Sequence, residues 1–385
     1  MKIVYVYPHF VILAGTERVL IDKMNFLAEE YGYDVYLITN EQGSHPFSYP
    51  LSPKVRHIDL GVRYTPLYQY NRFLKFFKWQ QNDRFLQKHF DEVIAKIKPD
   101  IVIATTYHSN LLSIVSNCSL KYVRLLESHI DKRYILNNDP HNKKNFLRWL
   151  NTYYQMMIIK RNARKFDLLV ALTDSDAEEW ARYLKTTVIS NVVHLNPTGR
   201  TCDYSSKRVI FVGRYKEQKG VFDLLDIWKI AYKNHQDWHL DLYGDGYLGD
   251  NLKREANRLN MNIHVNDPSE KIFDRYLSSS IFVLTSEYEP FGLVMPEAMS
   301  CGLPVVAFDC PSGPSKIIKD GDNGFLISNR DKQLFADKLG TLMDSRELCE
   351  RMGRKAVISS QNYAPDKVMP LWKDLFESLV IGSQK

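Results

Sequence analysis

Glu289 and Glu297 stand eight residues apart in EYEPFGLVMPEAMSCGLPVV, residues 287–306, with Phe-Gly-Leu between them and a Cys-Gly behind them. The runs IFVLTS and PVVAFD on either side read as strands, and Gly302 is suited to stop a short helix between them. Pro296 has no N–H to give and is tolerated only in a first helical turn, so that helix starts no earlier than about Leu293. The amides of Gly292, Leu293 and Val294 are then left unclaimed, and the glycine lets a ligand come close, an arrangement that suits phosphate. Eight helical residues span about 12 Å. Two carboxylates at that separation suit a ligand with hydroxyls on both sides of a diphosphate, such as a nucleotide sugar.

Other residues could serve the same ligand. FVGRYKEQKG puts Arg214 and Lys219 in the loop after a predicted strand, where two cations would stabilise a diphosphate that gains charge as a bond to it breaks. Lys216 and Glu217 in that loop read as solvated charges. GDGYLG, residues 244–249, matches G-x-G-x-x-G after a strand, and Asp267 ends the next strand near the spacing of a ribose-binding acid. That is the basis for the alternative of an NAD-dependent oxidoreductase, which would have no use for the basic pair or the glutamate pair. Asp320-Gly-Asp322, a metal-binding pattern elsewhere, reads here as a tight turn before FLIS, and no metal is expected.

EPFGLVMPEAMSCGLPVV resembles the E-X7-E segment of the retaining glycosyltransferases of family four, of bacterial polysaccharide type, which have the GT-B fold. The resemblance implies that Glu297 holds the ribose hydroxyls, that Glu289 lies beside the donor sugar, and that Phe291, Gly292, Leu293 and Val294 belong to the donor site. The basic segment is similar to the family's G-R-x-x-x-x-K-G, so Arg214 and Lys219 are implied at the diphosphate. AGTERVL resembles the family's glycine loop with Ala14 in place of the first glycine, leaving backbone approach to Gly15. LLESHID ends a strand with His129, which matches the family's histidine near sugar and acceptor. Gly244 and Gly246 resemble a family turn that serves the base or ribose. The chain departs from the pattern at Lys316, where a glutamate is common, which puts donor selection in question; Ser312 and Gly313 beside it stay available for contacts.

What the resemblance implies is metal-independent transfer of a hexosyl group, with retention, from a nucleotide-diphosphate donor, a UDP-sugar above all, to a hydroxyl. The mechanism implied is front-face, with the leaving diphosphate helping to deprotonate the acceptor. The acceptor expected is a glycan or lipid-linked intermediate, and no cofactor is expected beyond the donor itself. A nucleotide-sugar-binding scaffold without turnover is the non-enzymatic alternative.

These residues need scaffolds to hold them, and 385 residues favour two. Short apolar runs alternate with helical patterns, which implies parallel βαβ units. KIVYVYP, DVYLIT, DIVIATT, KYVRLLES, DLLVALT and TTVISNVV form a first series, and KRVIFVG, WHLDLYG, MNIHV, IFVLTS, PVVAFD and GFLIS a second. The expectation is an α/β protein of GT-B type, two doubly wound Rossmann-like domains facing across a cleft. Their expected limits are 1–195 on the acceptor side, 196–207 as linker, 208–365 for the nucleotide sugar, and a C-terminal helix over 366–385 packing back on the first domain.

Five scattered cysteines without CxxC spacing suggest buried thiols. A net charge of +6 and the lack of any nucleic-acid fingerprint argue against RNA or DNA as partner. No apolar run reaches the 18 or so residues of a bilayer span and the N-terminus reads as strand and loop, so a cytoplasmic protein is expected. Residues 62–90 and 141–165 are basic and aromatic, and such segments can lie on the anionic inner face of a membrane as well as on a solvated core helix.

Overall fold

Residues 1–64, 69, 72–106, 108–129 and 146–383 are described by the computed structural model. The chain divides into one unit of Met1–Val192 with Met369–Lys385 and a second of Val193–Val368.

In the first unit, seven strands run in chain order: β1 (Lys2–Val6), β2 (Asp34–Thr39), β3 (Arg56–Asp59), β4 (Ile101–Thr105), β5 (Val123–Glu127), β6 (Leu168–Ala171) and β7 (Thr186–Val188). All pair in parallel, in the order β3-β2-β1-β4-β5-β6-β7. IVIAT in β4 is buried along its whole length, as a parallel strand covered on both faces must be. One face carries a core that includes Val4, Ile38, Val102, Leu126 and Leu169, packed against Leu86, Phe90 and Ile94 of helix Arg72–Ile97.

The second unit holds β8 (Arg208–Val212), β9 (His239–Tyr243), β10 (Ile263–Asn266), β11 (Ile281–Leu284), β12 (Val305–Phe308) and β13 (Gly324–Ile327), again all parallel, in the order β10-β9-β8-β11-β12-β13. Its core joins Phe211, Leu242, Val283 and Phe308 to Leu224 and Trp228 of helix Val221–Ala231. Two Rossmann-like parallel sheets, each with helices, are the fold class that the alternating runs predicted.

Two details differ from the sequence reading. β3 went unforeseen, because an edge strand of sequence RHID buries little and shows no apolar run. TTVISNVV contributes only Thr186–Val188 to its sheet. Residues 196–207 do lack regular structure, but they are tied into the second unit. Asn196 N–H donates to Ser300 Oγ at 2.9 Å, Cys202 N–H to the Cys301 carbonyl at 2.7 Å, and Tyr204 OH to the Gly302 carbonyl at 2.9 Å. All five cysteines are buried and unpaired.

Candidate active site

In the second sheet the order reverses direction between β8 and β11, and a doubly wound sheet opens its ligand crevice beyond the carboxyl ends of such a pair. The loop after β8 carries Arg214 and Lys219, and the loop after β11 carries Glu289. The fold therefore brings together residues about seventy positions apart.

The two loops are laced by backbone. Glu287 N–H donates to the Gln218 carbonyl at 2.8 Å, Gln218 Nε2 to the Tyr288 carbonyl at 3.0 Å, and Thr285 Oγ1 to the carbonyls of Lys219 and Gly220, each at 3.0 Å. Gly220 sits at φ +61°, and a Cβ there would lie 2.1 Å from the Thr285 carbonyl oxygen. Only glycine allows that approach. Lys219 Nζ forms an ion pair with Glu289 Oε2, which also accepts from Ser286 Oγ at 3.1 Å. The Glu289 carbonyl accepts the Gly313 amide at 2.7 Å, which draws in the loop after β12.

Helix Val294–Ser300 begins where Pro296 required. Among the described residues the amides of Gly292, Leu293 and Val294 donate to no protein group. Gly292 has φ +86°, and a Cβ there would stand 2.9 Å from Glu289 Cγ. Glu297 lies in the first turn of the helix, 3 % exposed, its Oε2 facing Tyr276 OH at 3.5 Å. The ring of Phe291 is buried edge-on against Tyr363, so that side chain anchors the loop and only its backbone is left for a ligand.

Three predicted positions have local roles of their own. Gly244 and Gly246 pack on the loop after β8: a Cβ on Gly244 would meet the Gly213 carbonyl oxygen at 1.9 Å, and one on Gly246 the Tyr215 carbonyl oxygen at 2.5 Å. Gly15 opens helix Gly15–Glu29. Asp320 accepts the Leu326 amide at 3.0 Å and Gly321 N–H donates to the Gly324 carbonyl at 2.9 Å, so Asp-Gly-Asp makes a turn. Asp267 is an exposed partner of Lys253.

Lys216 corrects the sequence reading. It is half-buried instead of solvated, and burial, reinforced by Arg214 and Lys219, pulls its ammonium below the ordinary lysine range. The cationic loop thus has three members, and the third reads as solvated in the sequence because spacing alone does not tell which lysine is partly buried. Lys316, by contrast, is exposed at the end of helix Gly313–Ile317.

His129 follows β5 in the first unit, buried, with Nε2 3.1 Å from Glu127 Oε2. Glu127 also receives Lys23 Nζ, 2.6 Å from both carboxylate oxygens. Sequence reasoning missed this pair: Lys23 and Glu127 lie 104 residues apart, and no local pattern connects them.

Two parallel-sheet units with this loop chemistry define the GT-B class of glycosyltransferase fold. Residues 13–196 match the model of Glycosyltransferase Family 4, and residues 203–357 that of Glycosyl transferases group 1. The chain is a glycosyltransferase carrying a domain of each kind. It is 28 % identical over 367 residues to an uncharacterized glycosyltransferase of Haemophilus influenzae, covering 94 % of this chain and 96 % of the other. The amylovoran biosynthesis glycosyltransferase AmsD of Erwinia amylovora is 34 % identical over 192 residues, 49 % of this chain and 54 % of that one, so that match spans about half of either protein. Among solved structures, TarM of S. aureus superposes with TM-score 0.76 at 15 % identity, over 97 % of this chain and 99 % of that one. Sucrose-phosphate synthase of Thermosynechococcus elongatus gives 0.78 at 18 %, over 99 % of both.

Proposed function

We propose that this glycosyltransferase moves a hexosyl group from a UDP-sugar to a hydroxyl of a glycan or lipid-linked acceptor in polysaccharide assembly, with retention of configuration and without a metal ion. The observation that carries the reading is the Lys219–Glu289 ion pair at the point where the second sheet reverses order, with the unclaimed amides of residues 292–294 beside it. In this reading Arg214 and Lys219 face the diphosphate, Glu297 takes the ribose hydroxyls, and Glu289 and His129 address the sugar. The acceptor oxygen bonds to the anomeric carbon on the face from which the diphosphate departs. Its proton passes to the leaving diphosphate oxygen, whose growing charge the two cations stabilise. The choice of UDP and of a polysaccharide acceptor draws support from the relatives: TarM was solved with UDP and α-GlcNAc-glycerol, and AmsD is named for amylovoran biosynthesis.

We further assign the acceptor side to an anionic membrane surface. Helix Phe146–Ala163 exposes Phe146, Leu150, Tyr153, Tyr154 and Met157, at three- and four-residue spacing along one stripe, with Lys160 and Arg161 in its last turn. Among the described residues no helix is long and apolar enough to cross a membrane.

The deciding experiment is release of nucleoside diphosphate from UDP-, GDP- and ADP-sugars, with and without EDTA, together with the anomeric configuration of the product. Turnover of a UDP-sugar that survives EDTA and keeps the anomeric configuration is expected. Inversion, or loss of turnover restored by manganese, would overturn the corresponding part of the reading.

A further inference from the structure

Lys23 occupies a place on helix Gly15–Glu29 that a core leucine would ordinarily fill, 2 % exposed, with its ammonium held by Glu127. Its Nζ lies 3.8 Å from the centroid of the Trp372 ring and 5.5 Å from that of Tyr5. Burial works to lower the Lys23 ammonium. Burial also works to raise Glu127, but Lys23 and His129 outweigh it and hold its carboxyl below the usual range. Buried ion pairs are commonly no more stabilising than apolar side chains of equal size, so stability alone gives little reason to keep one here.

A function for the pair lies in what it touches. An ionised carboxylate accepts hydrogen bonds and cannot donate them, so the His129 nitrogen facing Glu127 has to carry the proton. With Nε2–H committed to Glu127, Nδ1 of the neutral ring is an acceptor, and no hydrogen bond engages it among the described residues. We propose that Lys23, Glu127 and Trp372 form a positioning relay that locks His129 in its Nε2–H tautomer and ring orientation, so that Nδ1 can receive a hydroxyl of the sugar or acceptor. The inference rests on the reading of His129 as a residue that meets the sugar. Lys23 has a double part in it: it keeps Glu127 ionised, and it cancels the charge that Glu127 would otherwise add beside a substrate already carrying a diphosphate. Trp372 covers the far side of the ammonium and excludes water from the pair. It comes from the C-terminal helix Pro365–Ser383, in the part of the chain, Met369–Lys385, that belongs to the first unit. The last stretch of the chain thereby reaches His129 through two intermediaries.

The test uses Lys23→Met/Glu127→Gln, a neutral pair of similar size, because Glu127→Gln alone strands a buried ammonium and risks unfolding. Histidine-selective nitrogen-15 spectra of the full chain should show His129 as Nε2–H in the wild type. In the double variant the tautomer should become mixed, and kcat should fall at least about tenfold, with native melting and unchanged affinity for UDP. Lys23→Arg, which keeps the charge and the hydrogen bonds, should recover part of the rate. An unchanged tautomer with unchanged kcat in the folded double variant would overturn the relay. A fully active His129→Gln would instead overturn the placing of His129 at the sugar, so the two failures can be told apart.

Discussion

Lys219 and Glu289 are paired, and that pairing has a kinetic meaning. A diphosphate entering beside them competes with the carboxylate for the same ammonium, so part of the cation's effect is consumed in binding. The remainder acts on the charge that the leaving oxygen gains only as the bond breaks. Lys219→Ala and Arg214→Ala should each lower kcat by about 100- to 1000-fold under saturating donor, the usual loss for one preorganised contact to developing charge. Lys216 cannot serve as a silent comparison, being half-buried beside both cations. Lys253→Ala can, since its ammonium is at the surface on Asp267. Steady-state kinetics on the three alanine variants decide the matter: equal losses at Lys219 and Lys253 would show that net charge alone is being read. At this scale the sequence is legible where the proposed site is packed into a few consecutive residues. Glu289, Glu297, Arg214 and Lys219 could be picked out because each lies in a short segment of recognisable order. Lys23 and Glu127 could not, because an apolar helix face with one lysine in it reads as a helix with one solvated lysine until the partner strand is known.

Helices and strands were legible to the extent that burial imprints a period on them. β4 and β12 are buried at every residue and were plain apolar runs, whereas β3, half-exposed at a sheet edge, carried no such imprint. Helix Phe146–Ala163 sits between these cases, since it carries aromatic, aliphatic and basic residues and both a core face and a membrane face satisfy the pattern. The structure divides its apolar residues between a buried and an exposed face. Met156, Ile159 and Ala163 are buried, while Leu150, Tyr154 and Met157 are exposed, so the apolar residues outnumber the places in the core. Part of the basic cluster, residues 141–145 and the side chains of Arg148 and Lys75, lies outside the described residues, and the prediction is therefore placed on residues within them. Leu150→Ser/Tyr154→Ser/Met157→Ser should abolish sedimentation with anionic vesicles at low salt. Melting should move little, because exposed substitutions usually change stability by about 0.5 kcal/mol or less. Arg161→Glu should weaken the same binding in a salt-dependent way. Undiminished sedimentation of the triple variant would return the stripe to an ordinary solvated face.

Across the whole molecule, the proposed division of labour between the units follows from where each kind of group is found. The cationic loop, the paired glutamates and the unclaimed amides all belong to residues 193–368, and the His129 relay belongs to the other unit. The two sheets themselves were foreseeable because alternating strands and helices announce doubly wound units, and such sheets hold ligands at their carboxyl ends. The exact limits were not, since the polar stretch 196–207 looks like a linker in sequence while its backbone is bonded to residues around 277 and 300–302. A ligand specific for the folded second unit should make the division visible. UDP at about 100 times its dissociation constant should stabilise what it binds by about 2.7 kcal/mol. Hydrogen exchange reads that gain segment by segment. Slowed exchange is expected over 213–220, 286–297 and 311–314, where the loops after β8, β11 and β12 meet. It is not expected at Lys23, Glu127 or His129, which await the sugar and not the nucleotide. Adding the intact UDP-sugar should extend protection to residues 127–129. Protection by GDP or ADP but not UDP would change the base and leave the site standing. Protection by UDP that spares the loop after β8 and falls on the ends of β1 and β4 instead would move the nucleotide to the other sheet, and the assignments of Arg214, Lys219, Glu289 and Glu297 would fall together.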